Sequence, residues 1–194
     1  MLLSNSIATT VAIALLASFA HVYGAKVDTP AVKDSTILRS TVSCANCPES
    51  NCYKCTLGHE NTLVANTGGL AFIQSLIGFH MPVAASQVTN CTVQIPAFTT
   101  RHENPLTVVV SQAASSDWNE DTVNGENAPA SGSQIARVDV PAYANLGPVD
   151  ITPACQSAIN GEFSVYFGSG TGRYEFWSKD SGNPAILHIT YNEA

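Results

Sequence analysis

From about Asn61 onward the chain repeats one pattern: a short run of strand-forming residues, then a proline, a glycine or an Asn/Asp cluster that stops it. Pro82, Pro96 and Pro141 close the runs 70–81, 87–95 and 133–140, because proline has no N–H to give a ladder. Runs at 106–111, 163–167, 173–178 and 185–191 complete the series. One good helix start interrupts it, Asp150-Ile151-Thr152-Pro153, where Thr152 can cap and Pro153 suits the first turn. The predicted helix is short, 153–159, and carries Cys155. Many short strands with one short helix give an all-β fold, an antiparallel β-sandwich or jelly roll. Composition excludes the alternatives. Charged residues are 12% of 194, about half the usual quarter, which argues against a salt-bridge-rich helical bundle and against a disordered tail. The formal charge is −7 and no basic run exists, so a nucleic-acid partner lacks its electrostatic footprint.

Residues 7–20 are apolar and are followed by Val22-Tyr23-Gly24, a small residue ending the segment. This reads as a secretory signal peptide, 1–24, cleaved after Gly24. The alternative, an uncleaved anchor, needs a span of about 20 apolar residues. No later segment is apolar enough to cross a membrane, so a secreted, extracellular product is expected.

The six cysteines fit export. Four lie in Cys44-Ala45-Asn46-Cys47 and Cys52-Tyr53-Lys54-Cys55, with four residues between the units, much closer than zinc-ribbon spacing. Disulfides are expected there, with the connectivity left open. If that cluster pairs within itself, Cys91 and Cys155 remain for each other. Asn90-Cys91-Thr92 is an N-glycosylation sequon at Asn90. The chain thus divides into a signal segment, a polar arm and Cys-rich segment at 25–58 (25–35 reading as a short mobile arm), and a β-sandwich at 59–194.

The period of two assigns faces in the last hairpin. Phe163, Val165 and Phe167 fall on one face and Ser164 and Tyr166 on the other. After the turn 168–172, Tyr174 and Phe176 point inward, while Arg173, Glu175, Trp177 and Lys179 point outward. In the final strand Leu187, Ile189 and Tyr191 are buried and Ile186, His188 and Thr190 are not. An outer face with Tyr166, Trp177 and His188 among Arg173, Glu175 and Lys179 has the chemistry of sugar recognition. Rings stack on pyranose C–H faces and charged groups bind hydroxyls or uronates. The alternative is that a loop or the N-terminal arm covers Trp177.

Four segments together resemble the family-96 carbohydrate-binding modules, the DNRLRE-type domain. They are Ser75-Leu76-Ile77-Gly78-Phe79-His80-Met81-Pro82; Trp118-Asn119-Glu120-Asp121-Thr122 leading to Asn127-Ala128-Pro129; Asp150-Ile151-Thr152; and Phe176-Trp177-Ser178-Lys179-Asp180, then Pro184, Leu187, Ile189 and Tyr191. In family order they cover roughly 60–191. The resemblance implies a jelly-roll module that grips polysaccharide without cleaving it. Apart from the calcium considered below, no cofactor is expected. Such modules are often joined to polysaccharide-degrading enzymes, and some bind alginate through basic residues. This chain differs in having a Cys-rich N-terminal side and His80 where an acidic residue is common, and it is expected to stand without an attached catalytic domain. Its acidity disfavours an anionic ligand unless Arg137, Arg173 and Lys179 converge.

Glu120, Asp121 and Glu126 could supply paired carboxylates for glycoside hydrolysis, but the family motif gives Glu120 a structural place. Asp117, Asn119, Asp121 and Asn124 offer oxygen ligands suited to calcium, though Thr122 replaces the EF-hand glycine. Trp118 is expected as a core anchor. His59-Glu60 and His102-Glu103 lack the second histidine of a zinc-protease helix, and 168–172 lacks the Lys-Ser/Thr of a phosphate loop. The expectation is a secreted, non-catalytic protein that binds a polysaccharide through Trp177, Arg173, Tyr166, Lys179 and Arg137. Its rival is a structural cell-wall, coat or adhesion protein that uses the same fold for protein contacts.

Overall fold

A computed structural model describes residues 24–193. The expected signal segment, apart from Gly24, lies outside these residues. Among them the strand-and-stop pattern becomes eleven strands in three antiparallel sheets. These are β1 (Ala25–Pro30), β2 (Lys33–Ser40), β3 (Thr62–Ala65), β4 (Ala71–His80), β5 (Val88–Gln94), β6 (Leu106–Ala113), β7 (Ser131–Val140), β8 (Val149–Asp150), β9 (Glu162–Ser169), β10 (Tyr174–Trp177) and β11 (Ile186–Tyr191). A five-stranded sheet runs β2-β4-β9-β6-β7, a four-stranded sheet β1-β11-β5-β8, and β10 pairs with β3 in a ribbon.

Alternation builds the main core between these layers. The five-stranded sheet contributes Ile77, Phe79, Val108, Val110, Phe163, Val165 and Phe167. Facing them are Cys91, Val93, Leu187 and Ile189 from the four-stranded sheet, and Leu63, Ala65, Tyr174 and Phe176 from the ribbon. Each such large side chain contributes roughly 1.5–3 kcal/mol on burial. The result is the expected sandwich.

The other face of the five-stranded sheet departs from expectation. Tyr166 does point away from Phe163, Val165 and Phe167, yet it is fully buried. It sits in a second apolar cluster with Ile37, Leu76, Ala113, Trp118 and Val123. The segment between β6 and β7 folds over the sheet as a lid. Trp118 anchors it as expected: its Nε1–H donates to Ser164 Oγ at 3.0 Å, and the Lys33 ammonium lies 4.5 Å from its ring centroid. The Tyr166 hydroxyl donates to the Pro129 carbonyl. A Tyr that faces away from one core has here found another, so it cannot meet a ligand.

The N-terminal stretch is also not an arm. Strand β1 pairs with β11 from Ala25↔Tyr191 to Pro30↔Ile186, and β2 pairs with β4 from Lys33↔Gly78 to Ser40↔Ala71. The polar residues that suggested mobility, Lys26 and Asp28, are the exposed positions of an edge strand whose Val27 packs on the core.

The Cys-rich segment carries two interleaved disulfides, Cys44–Cys52 and Cys47–Cys55, and Cys91–Cys155 joins β5 to the helix. That helix, α1, spans Thr152–Gln156 and is shorter than predicted. Thr152 stands inside it; Asp150 Oδ1 accepts its N–H at 2.9 Å, while the Thr152 hydroxyl accepts the Cys91 N–H at 2.9 Å. The chain leaves α1 through a two-residue turn at Asn160 and Gly161, whose φ values of 54° and 79° suit Asn-Gly.

Candidate functional site

Strand β10 presents the expected alternation. Tyr174 and Phe176 are fully buried, whereas Trp177 is 40% exposed. Across the ribbon, Thr62 lies opposite Trp177 and Val64 opposite Glu175. On the other edge the Thr99 N–H donates to the Glu175 carbonyl at 2.9 Å. The two residues after Trp177 clamp it in place. Ser178 donates its N–H to the Asn61 carbonyl at 3.0 Å and its hydroxyl to the Glu60 carbonyl at 2.6 Å. Lys179 N–H donates to Asp34 Oδ2 at 2.8 Å. An exposed indole on so fixed a backbone is a preorganised flat surface.

Arg173 lies four residues before Trp177 on the same face, ~13 Å away at strand rise. Its guanidinium donates to Glu175 Oε2 at 3.1 Å, so this part of the face is charge-balanced. Beyond it, Arg173 lines a groove of 300 Å³ with His102, Glu103, Asn104 and Thr171. Trp177, Glu175, Arg173 and this groove form one ridge-and-groove surface with a flat apolar ring at one end and hydrogen-bonding groups at the other.

The remaining expected ligand-binding residues are distributed differently. Arg137 is exposed on β7 and approaches Gly170 in the loop that leads to Arg173. Lys179 is not with them. Its ammonium is held by Glu120 Oε2 at 2.9 Å and Asp180 Oδ2 at 3.0 Å. His188 is outward as expected, but on the four-stranded sheet, where its Nδ1 lies 2.8 Å from Asp28 Oδ1. Of the three cations expected to converge on an anionic ligand, Lys179 is therefore withdrawn from Arg137 and Arg173.

Lys179 belongs to a polar network that braces Trp177 from behind. Glu120 Oε1 accepts the Asp34 N–H at 2.6 Å, which closes the exposed edge of β2. Asp34 is fully buried, and its Oδ1 has no hydrogen-bond partner. Burial pushes its carboxyl up to about 6. His59 Nε2 lies 2.6 Å from Asp121 Oδ1, and this hydrogen bond raises the imidazole above its ordinary value.

Of the three carboxylates considered for hydrolysis, Glu120 and Asp121 are engaged here and Glu126 is exposed. Both Glu120 oxygens have structural partners, and Asp121 is taken by His59. Of the four residues considered for calcium, Asn119 Oδ1 accepts the Asp121 N–H at 2.7 Å, Asn124 Oδ1 accepts the Glu126 N–H at 2.9 Å, Asp121 faces His59, and Asp117 also lines a groove with Lys33 and Glu162. His59, Glu120 and Asp180 do offer ligand atoms within 4.8 Å of one another. The Lys179 ammonium already bridges two of those carboxylates, supplying from the chain the positive charge that an ion would bring.

One surface escaped the sequence reading. Val42, Leu70 and Phe72 are exposed near Tyr53 and Arg39; all but Val42 line a groove of 400 Å³ beside the disulfide-stapled segment. The stretch 70–81 reads as one long apolar segment, but alternation along β4 puts Phe72 on the lid side of the sheet, beyond the lid's reach. Phe72 pairs across strands with Arg39. Applying the period of two to residues 70–73 is the signal that would have found it.

The model of carbohydrate-binding module family 96 matches residues 52–191, beginning inside the Cys-rich segment and ending at the last residue of β11. A protein of Arthroderma benhamiae described as an uncharacterized secreted protein is 60% identical over 163 residues, 84% of either chain.

Proposed function

The chain belongs to carbohydrate-binding module family 96, and on that premise we propose that it is a secreted, non-catalytic protein that grips a cell-wall or extracellular polysaccharide through the β10 face. The observation that carries this reading is Trp177, exposed but fixed by the two residues that follow it. The indole stacks on a sugar ring, and Arg173, Thr62 and the groove beyond hold hydroxyls of the next residues of the polymer. Because Glu175 neutralises Arg173 and Lys179 is occupied, the face suits a neutral glycan better than a polyanion. Binding is non-covalent: Glu120 and Asp121 hold the fold together instead of meeting substrate. Export is supported by the apolar leader, by three disulfides and by the description of the relative as secreted. No helix among the described residues is long and apolar enough to cross a membrane.

The test is a binding survey of residues 25–194 on a glycan array and insoluble wall polysaccharides, with and without a calcium chelator. Saturable binding to one polymer class is expected, unchanged by the chelator. Trp177→Ala should weaken it tenfold or more, about 1.4 kcal/mol, while Tyr166→Phe should leave it alone. Undiminished binding by Trp177→Ala would remove the β10 face from the reading.

A second reading is favoured by the exposed Val42, Leu70 and Phe72 patch, which suits contacts with protein. On that reading the fold is a structural wall, coat or adhesion protein. It is supported if the protein self-associates with concentration, loses this with Phe72→Ser, and binds no glycan.

A further inference from the structure

We infer that Asn90 carries an N-linked glycan, attached before β5 takes its place in the four-stranded sheet. The inference rests on export of the chain, as proposed above, and is independent of the Trp177 face. The sequon Asn90-Cys91-Thr92 does not occupy the surface loop where such acceptors usually lie. It lies in the middle of β5.

Strand alternation nevertheless separates its members in a way that permits a glycan. Cys91 points inward, fully buried, to its disulfide with Cys155. Asn90 points outward and is exposed, and Thr92 shares its face. The outward rows around them are polar. Lys26 and Thr190 continue the row of Asn90, and Asp28, His188 and Asp150 continue that of Thr92. A bulky hydrophilic group on Asn90 therefore covers polar surface and displaces no core residue.

The folded backbone is closed to the enzyme that would add it. Asn90 pairs with Thr190 of β11, the Cys91 N–H donates to Thr152 Oγ1 at 2.9 Å, and the Cys91 carbonyl accepts from Ile151 N–H at 2.9 Å. A transferase must pass the Asn-x-Thr backbone through its site, and here both edges of that backbone are committed. These partners come late in the chain: Cys155 is 64 residues beyond Cys91, and Thr190 is 101 beyond Thr89. During vectorial export the sequon emerges long before either, as free chain. In that interval the Asn90 amide nitrogen attacks C1 of an oligosaccharide carried on a polyisoprenyl diphosphate. The N–C1 bond forms, the C1–O bond to the diphosphate breaks with its electron pair leaving on the carrier, and the amide nitrogen loses one proton.

The experiment expresses the full chain in a glycosylating, secreting host and measures the mass of the secreted protein before and after peptide N-glycosidase treatment. A single glycan is expected. It should be lost in Thr92→Val, which keeps the β-branched shape, and kept in Thr92→Ser, so that loss of fold and loss of acceptor are distinguished. Secreted wild-type protein without a glycan overturns the inference by itself; wild-type protein retained in the cell overturns the export on which it rests. The order is tested on unglycosylated protein given to transferase-bearing microsomes. The reduced, unfolded chain should be modified and the native chain not; equal modification of both would overturn the order.

Discussion

Asp34 holds the backbone behind Trp177 at a cost that depends on pH. Its carboxyl is buried at the rim of the core, where loss of water disfavours the anion, and Glu120 and Asp180 nearby disfavour it further. The Lys179 N–H and ammonium act in the opposite direction but do not prevail, and the group titrates at about 6 where an unburied Asp has 3.8. A raised native value means that the folded state binds the proton more tightly than the unfolded chain. The contribution is therefore fully present below about pH 4 and is lost as pH rises through about 6, by about 3 kcal/mol. His59 acts in the same direction: its pair with Asp121 helps while the imidazole is charged and fades as pH rises through its elevated native value. Asp34→Asn keeps the acceptor for Lys179 and removes the titration. Its melting temperature should exceed that of the wild type at pH 7.5 and approach it near pH 4, with His59→Gln as the background for both proteins. Melting temperatures of the two proteins that run parallel across that range would show that folding does not raise the Asp34 carboxyl above its unfolded value.

Among the larger elements, the lid between β6 and β7 has the most consequence for what the protein can bind. It is tied down along its length: Trp118 to Ser164, Glu120 to the β2 edge, the Gly125 carbonyl to the Arg39 Nε–H, and Pro129 to Tyr166. Gly125 is required for the approach, since a Cβ there would lie 2.5 Å from the Leu38 carbonyl. Trp118→Ala should remove about 3–5 kcal/mol, read as a lower urea midpoint. It should also expose Tyr166, read as nitration of that ring by tetranitromethane, which the wild type resists. Loss of stability with Tyr166 still protected would mean that other lid contacts hold the cover in place. This element also marks where sequence reading stops. Alternation correctly put Tyr166 on the face away from Phe163, and the Trp118 segment was legible as an anchor. That the anchor lands on Tyr166 depends on a tertiary contact between residues 46 apart, Trp118 and Ser164, which no local periodicity encodes. Likewise the polarity of Lys26 and Asp28 is visible in the chain, but the β11 edge that makes β1 a strand lies 160 residues further on. The direction of Trp177 was readable because its own strand sets it, whereas its anchoring was not, since Ser178 and Lys179 reach Glu60 and Asp34, 118 and 145 residues away.

At the scale of the whole molecule, three disulfides divide two tasks. Cys44–Cys52 and Cys47–Cys55 each span 8 residues and staple the segment that carries Tyr53 over the end of β2. Cys91–Cys155 spans 64 and ties the four-stranded sheet to α1, whose Ala154 and Cys155 belong to the main core. Loop-closure entropy ranks them: the long bridge restricts the unfolded chain by about 4 kcal/mol and each short one by about 2.5. The short pair also staples a segment outside both apolar clusters, so losing a short bridge leaves the sandwich packed, whereas losing the long one lifts buried groups from the core itself. Replacing Cys91 and Cys155 together by alanine should therefore lower the denaturant midpoint more than replacing Cys47 and Cys55. The first replacement should reduce binding at the β10 face only in proportion to the unfolded fraction. The second should leave glycan binding at Trp177 intact at full occupancy of the fold while altering the Phe72 groove. Chemical unfolding monitored by Trp fluorescence, beside glycan binding of the same samples, measures both. If the Cys47/Cys55 replacement proves the more destabilising, the Cys-rich segment is a cooperative part of the sandwich, as its share in the family match from Cys52 onward would then reflect.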